Sequence, residues 1–225
     1  MFIELAEALD CPVCGDGYGL VAFVAEADRR RVISGHLGCP MCEVEFSIDG
    51  GAVDFRAGTP PEDAPVSSAE DRGFKEGSSV ALKLAALLGV GERPGMVIML
   101  GAGLAQHAPV IARMADRVEV IAVVDRAAAD GGASRTAIGW GIDDLAAGVD
   151  PIIGLGERWP LRSGALDGVA VRGGIDAGLG EVQRCLRPGR RLVVIDPVQS
   201  DLEVLAGAGY ETLAADGDTW VGVRA

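Results

Sequence analysis

Two cysteine pairs, Cys11-Pro-Val-Cys14 and Cys39-Pro-Met-Cys42, constrain this chain more than any other feature. Each Cys-x-x-Cys turn aims two sulfurs at one point, and two such turns close a tetrahedron of thiolates around a zinc ion. The alternative is a pair of redox dithiols or disulfides. A thioredoxin-type pair belongs to a strand-helix unit, whereas turn residues and strand-like runs flank both pairs here. Four thiolates leave no open coordination position, so the metal is expected to be structural Zn2+ held by Cys11, Cys14, Cys39 and Cys42. His36, three residues before Cys39, is the competing ligand; Cys185 is unpaired and sits at an apolar helix position, as a buried inert thiol would.

The segments around the pairs alternate in polarity. Residues 19–25 and 31–34 read as strands joined by a polar turn, and 43–49 runs through Gly50-Gly51 into 52–55 as a hairpin. Knuckle, hairpin, knuckle, hairpin is a zinc ribbon over residues 1–58. So small a unit has little core, and the metal should supply much of its folding energy. A stiff, proline-rich linker follows at 59–66.

The formal net charge of -13 restricts the partners. Nucleic-acid binders carry a basic patch, and the one basic cluster, Arg29-Arg30-Arg31, reads as a solvated hairpin tip. Unaided nucleic-acid binding is not expected; a small molecule, or a protein partner docking through the ribbon, is. No apolar run is long enough to span a bilayer. The opening Met1-Phe2-Ile3-Glu4 lacks a signal-peptide pattern, and paired thiolates suit a reducing compartment, so a cytoplasmic location is expected.

Residues 67–225 follow a different rhythm. After a helical stretch at 80–88, apolar runs at 96–100, 118–124, 151–153, 168–171 and 191–195 read as strands buried on both faces, alternating with helices at 105–115, 180–186 and 200–208. Runs at 210–214 and 219–223 around Asp216-Gly217-Asp218 close the chain as a hairpin. The pattern predicts an α/β, doubly wound sheet with a C-terminal β-hairpin. Gly101 and Gly103 let backbone approach a ligand after the first of these strands, and Asp125 ends the second, where an acid can hold a ribose diol.

The order of segments resembles that of class I S-adenosylmethionine-dependent methyltransferases. Val97-Ile-Met-Leu-Gly-Ala-Gly-Leu-Ala105 looks like the family's first motif, and Val120-Ile-Ala-Val-Val-Asp125 like its second strand with the ribose-binding acid. Gly154-Leu-Gly-Glu-Arg-Trp-Pro-Leu161 followed by Leu166-Asp-Gly-Val-Ala170 is similar to the adenine-side segment. Glu181-Val-Gln-Arg-Cys-Leu-Arg-Pro-Gly189 is similar to the family's Arg-Val-Leu-Lys-Pro-Gly signature, and Gly209-Tyr210 to its Gly-Phe. The resemblance implies a Rossmann-like methyltransferase sheet, S-adenosylmethionine as cofactor, Gly101 and Gly103 at its methionine end, Asp125 at the ribose and Glu157 near the pocket. His107 and Trp159 are further candidates for the cofactor side. A cysteine ribbon ahead of such a domain is also found in some ribosomal-RNA methyltransferases, and small zinc proteins activate methyltransferases as separate subunits.

Met99, Ala105 and Leu155 depart from the family pattern at the methionine amino group, the third glycine and the adenine. The alternative they raise is a methyltransferase fold without catalysis that serves as an interaction or assembly subunit. A nicotinamide-dependent enzyme is the third reading, opposed by Gln106 at its third glycine and by the order of the C-terminal hairpin. No Ser/His/Asp set or Cys/His pair identifies a catalytic base.

Overall fold

The computed structural model describes residues 1–56, 77–90, 94–115, 117–124, 148–175 and 178–224. The predicted linker at 59–66 and Asp125 lie outside them.

A short 3-10 helix, Ile3–Ala8, leads into β1 (Val21–Asp28), β2 (Arg31–Gly38), β3 (Glu45–Asp49) and β4 (Ala52–Asp54). These pair antiparallel in sequence order, which is the predicted ribbon. Helix α1 (Gly77–Leu88) precedes the alternating units β5 (Gly95–Leu100), α2 (Ala102–Ala105), α3 (Ala108–Met114), β6 (Val118–Val124), β7 (Val149–Ile153) and β8 (Leu166–Arg172). Then come α4 (Leu179–Cys185), β9 (Leu186–Ile195), α5 (Gln199–Gly207), β10 (Tyr210–Asp216) and β11 (Thr219–Arg224). The helix predicted over 105–115 begins earlier and breaks in two. Pro109 would push its ring into the carbonyl of Ala105, so α2 ends there and a new helix starts with Pro109 in its first turn.

Among the described residues, eleven strands form one sheet, in the order β1-β2-β3-β4-β7-β6-β5-β8-β9-β11-β10. From β7 to β9 the pairs are parallel, and the terminal hairpin adds β11 and β10 antiparallel. The order β7-β6-β5-β8-β9-β11-β10 reverses direction at β5, the point at which open α/β sheets take ligands at the carboxyl ends of their strands. The ribbon continues this sheet: β4 pairs parallel with β7, Val53 opposite Ile152 and Asp54 opposite Ile153, and Phe55 N–H adds a bond to Ile153 O at 3.0 Å.

Side chains alternate across the central strands and so fill two cores. Val97, Met99, Val120, Ala122 and Ala170 pack with Leu84, Leu88 and Ile111 of α1 and α3. Ile98, Ile121, Val169 and Ile152 face the other way, toward Leu179 and Val182 of α4 and Leu205 of α5. That second core runs without a break into Leu5, Leu9, Leu37 and Phe46 of the ribbon. The ribbon therefore shares apolar burial with the α/β part, which explains how so small a unit is covered.

The basic cluster departs from its expectation. Arg29, in a left-handed turn conformation (φ 54), and Arg30, paired with Glu4, stay at the surface. Arg31 is buried; its guanidinium lies 3.8 Å from the Phe2 ring centroid, donates to Val149 O at 3.0 Å and stands 3.5 Å from the fully buried Asp150. Asp150 is the second residue of β7, the strand that β4 joins, and its Oδ1 accepts from Phe2 N–H at 2.6 Å. Burial raises the Asp150 carboxyl above its ordinary range, against the pull of the N-terminal amine and Arg31.

Candidate metal centre and glycine turn

The two knuckles adopt the same local structure. In the first, Gly15 N–H donates to Cys11 O at 2.8 Å and Cys14 N–H reaches Cys11 Sγ at 3.4 Å. In the second, Glu43 N–H donates to Cys39 O at 2.9 Å. Each turn closes with a left-handed residue, Gly15 (φ 94) and Glu43 (φ 61). The four Sγ atoms converge within 4.8 Å of one another. Cys11 and Cys42 sulfurs are 3.7 Å apart, and Cys14 and Cys39 sulfurs 3.8 Å apart. A tetrahedral zinc ion with bonds of about 2.3 Å requires about 3.8 Å between sulfurs, and a disulfide about 2.0 Å. The donor set fits the ion and excludes the disulfide alternative in this state.

Crowding spreads the thiols apart in acidity. The Cys42 thiol, with burial and the other two sulfurs, pushes Cys14 up to about 12. Burial also works to raise Cys39, yet the N–H groups of Cys42 and Met41 hold it down at about 7. Neighbouring thiolates without a cation repel one another, and a divalent ion removes that repulsion. His36 does not join the cluster: it stacks on Phe23, ring centroids 4.6 Å apart, and pairs with Glu45 at 3.6 Å.

At the carboxyl end of β5, Gly101 has φ 96 and ψ 148, a conformation that an L side chain rarely adopts, and a Cβ placed there would meet no atom within 4 Å. This is an open backbone cradle. Gly103 is different: a Cβ there would stand 2.8 Å from Arg172 Nη1. Arg172 ends β8 and leans over the turn. Its Nη2 lies 2.6 Å from Asp196 Oδ2, just beyond β9, and Asp196 is itself left-handed (φ 50). The flexible end of the Arg172 side chain thus lies over position 103.

Sequence reasoning missed Asp201. It is fully buried near the start of α5 and accepts from the N–H groups of Gly174, Ile175 and Val198 at 2.9–3.0 Å. One carboxylate thereby ties the loop that follows Arg172 at the end of β8 to the loop after β9 that carries Asp196. Burial alone would raise its pKa; the three N–H donors outweigh that and hold the carboxyl below its ordinary range. An acid three residues after a helix start is a capping signal, but no motif hinted at two loops meeting there.

Other candidates resolve in place. Trp159 is buried in the same core as Leu179 and Ile175. Glu157 is exposed in the loop after β7. His107 is buried at the start of α3. Cys185 is buried, and burial pushes its thiol up to about 12. Two cavities of about 560 Å³ adjoin at Gly95 and Asp167, at the opposite end of the strands from Gly101. Among the described residues, no helix is long and apolar enough to cross a membrane.

No protein-family model matches the chain, and no curated protein matches it. Solved structures do. A geranyl diphosphate methyltransferase in complex with S-adenosylmethionine matches at a TM-score of 0.50 and 16% identity, over 66% of this chain and 85% of that one. A geranyl diphosphate C-methyltransferase from Streptomyces coelicolor A3(2) matches at 0.50 and 15%, over 66% and 79%. The [4+2]-cyclase SpnF matches at 0.48 and 17%, with 61% of this chain spanning 58% of that one. At these identities the likeness shows the fold: this chain has a Rossmann-like methyltransferase sheet, and a four-cysteine cluster able to hold zinc lies at one end of it.

Proposed function

We propose that this protein is an S-adenosylmethionine-dependent methyltransferase carrying a structural zinc ribbon on the edge of its sheet. One observation carries the reading: the open glycine cradle at Gly101 lies at the carboxyl end of β5, where the strand order reverses. S-adenosylmethionine would supply an electrophilic methyl group on a sulfonium. Gly101, with Gly103 beside it, would take the methionine end by backbone approach. Asp125, outside the described residues, is the candidate for the ribose hydroxyls, and Glu157, exposed after β7, for the adenine side. The chain's contribution to rate would be alignment of the acceptor with the methyl group. Zinc, held by Cys11, Cys14, Cys39 and Cys42, would fix the ribbon and take no part in the transfer.

Calorimetric titration of zinc-loaded protein with S-adenosylmethionine and S-adenosylhomocysteine tests the reading. Micromolar binding that Asp125→Ala abolishes, with the fold intact, is the expected result. No binding at millimolar ligand overturns it.

A second reading has its own support in the Arg172–Asp196 pair, which occupies space over Gly103, and in the fully buried, apolar Met99. A methyltransferase fold that has lost its cofactor would act as an interaction subunit, with the exposed knuckle residues Val13 and Met41 as contact points. It requires a stoichiometric protein partner whose recovery depends on the ribbon.

A further inference from the structure

The first knuckle grips the segment that follows β7. Asp16, two residues after Cys14, places its carboxylate against Arg158 and Arg184, each at 2.9 Å, and accepts from Ser163 Oγ at 3.4 Å. Arg184 passes the contact on, donating to Trp159 O at 2.9 Å and Leu161 O at 2.6 Å. Its partner Glu181 accepts from Trp159 N–H at 2.8 Å. On the near side, Asp10 holds Arg162 at 2.9 Å, and main-chain bonds run from Arg162 N–H to Ala8 O at 2.9 Å and from Asp10 N–H to Pro160 O at 3.3 Å. The knuckle's glycine also lies against this segment: a Cβ on Gly15, itself at φ 94, would stand 3.1 Å from the Arg158 guanidinium.

We propose that Asp16 is a positioning residue through which the first cysteine knuckle, when it holds its metal, fixes the conformation of residues 158–163. The physical chain is short. The ion sets the Cys11–Cys14 turn, the turn sets Asp16, and Asp16 sets two arginines that bracket the backbone of Trp159 and Leu161. A surface carboxylate with one cation contributes little; a carboxylate shared by two guanidiniums, one of them three-quarters or more buried, has a defined geometry to impose. In an otherwise acidic ribbon, Asp10 and Asp16 face an arginine-rich stretch, and that complementarity fixes which surfaces meet. The segment is the one that resembles the methyltransferase adenine side. Any effect on cofactor affinity rests on the function proposed above, whereas the conformational effect does not.

Amide hydrogen exchange on the full chain tests the proposal, with the Trp159 and Arg162 amides as reporters and the β10–β11 hairpin as a remote reference. Removing the metal should speed exchange at 158–163 on the order of tenfold beyond any change in the hairpin. Asp16→Asn with metal still bound at one ion per chain should do the same, and Asp16→Glu should restore most of the protection. Unchanged exchange at Trp159 and Arg162 in Asp16→Asn overturns the proposal, as does a loss confined to residues 1–56 on metal removal. If metal removal unfolds the whole chain, the metal-loaded Asp16→Asn result alone decides. Cofactor titration of the same variants separates the two ideas. Wild-type protein that binds no cofactor yet shows these exchange changes retains the positioning role and loses the methyltransferase reading.

Discussion

Val53 stands opposite Ile152 in parallel register, both fully buried, and through this pairing the cysteine ribbon becomes the edge of the methyltransferase-like sheet. The two share hydrogen bonds and one apolar core, so they should unfold together. Calorimetry of the metal-loaded protein should give a single transition, and chelation should lower it as a whole by on the order of 10 °C or more. Two separable transitions would show the ribbon to be an independent unit. Val53→Ala should move the same single transition downward, by about 1–3 kcal/mol, because it empties space at the junction.

The knuckle turns predict opposite outcomes for two substitutions. Gly15→Ala places a methyl group at φ 94 and 3.1 Å from Arg158, and should cost about 1–2 kcal/mol. Glu43 holds the equivalent left-handed position at φ 61 with a side chain, so Glu43→Gly should gain up to about 1 kcal/mol. Urea denaturation of the metal-loaded variants measures both.

Asp201 ties two loops at the carboxyl edge of the sheet. Asp201→Asn should cost about 2–4 kcal/mol at neutral pH, since one of its atoms turns from acceptor to donor among three buried N–H groups. The folded carboxyl titrates below the unfolded value of about 3.9, so the unfolded chain binds more protons in that interval. The stabilisation is fully present above about pH 4 and is lost as pH falls through the folded value. The gap between wild type and variant should therefore narrow on acidification; a gap constant from pH 7 to pH 3 would contradict the assignment.

Cys185 is buried, with a thiol pushed up to about 12, while its nearest acceptor is Leu161 O at 3.7 Å. It should resist alkylation at pH 8 in the native protein and react once denaturant is added. Mass spectrometry of the labelled peptide reads this directly.

Much of the architecture was legible along the chain. Four cysteines at knuckle spacing announced their own meeting, because the turn that brings each pair together is local. The runs at 96–100, 120–124 and 168–171 are apolar throughout since both faces are covered by helices, and that is a sequence signal. The break at Pro109 could have been read from the missing N–H and the ring clash with Ala105. Arg31 could not. Its charge argued for solvent, and only the approach of Phe2, Val149 and Asp150 supplies partners that make its burial tolerable. Trp159 was ambiguous for the same reason, since a large ring in a cofactor-like segment suits a core equally well.

The sequence by itself determined what depends on near neighbours: the knuckles, the hairpins, the strand and helix periods, and the glycine turn at Gly101. Tertiary structure alone decided which of these lie side by side. β4 and β7 are far apart in sequence, and their parallel pairing depends on matching edges and a shared core rather than on any local pattern. Asp16 and Arg158, or Asp201 and Gly174, likewise meet only when the sheet brings distant loops together. Their geometry is a property of the whole fold, because a charge or an N–H group acquires a partner only after the chain has closed around it.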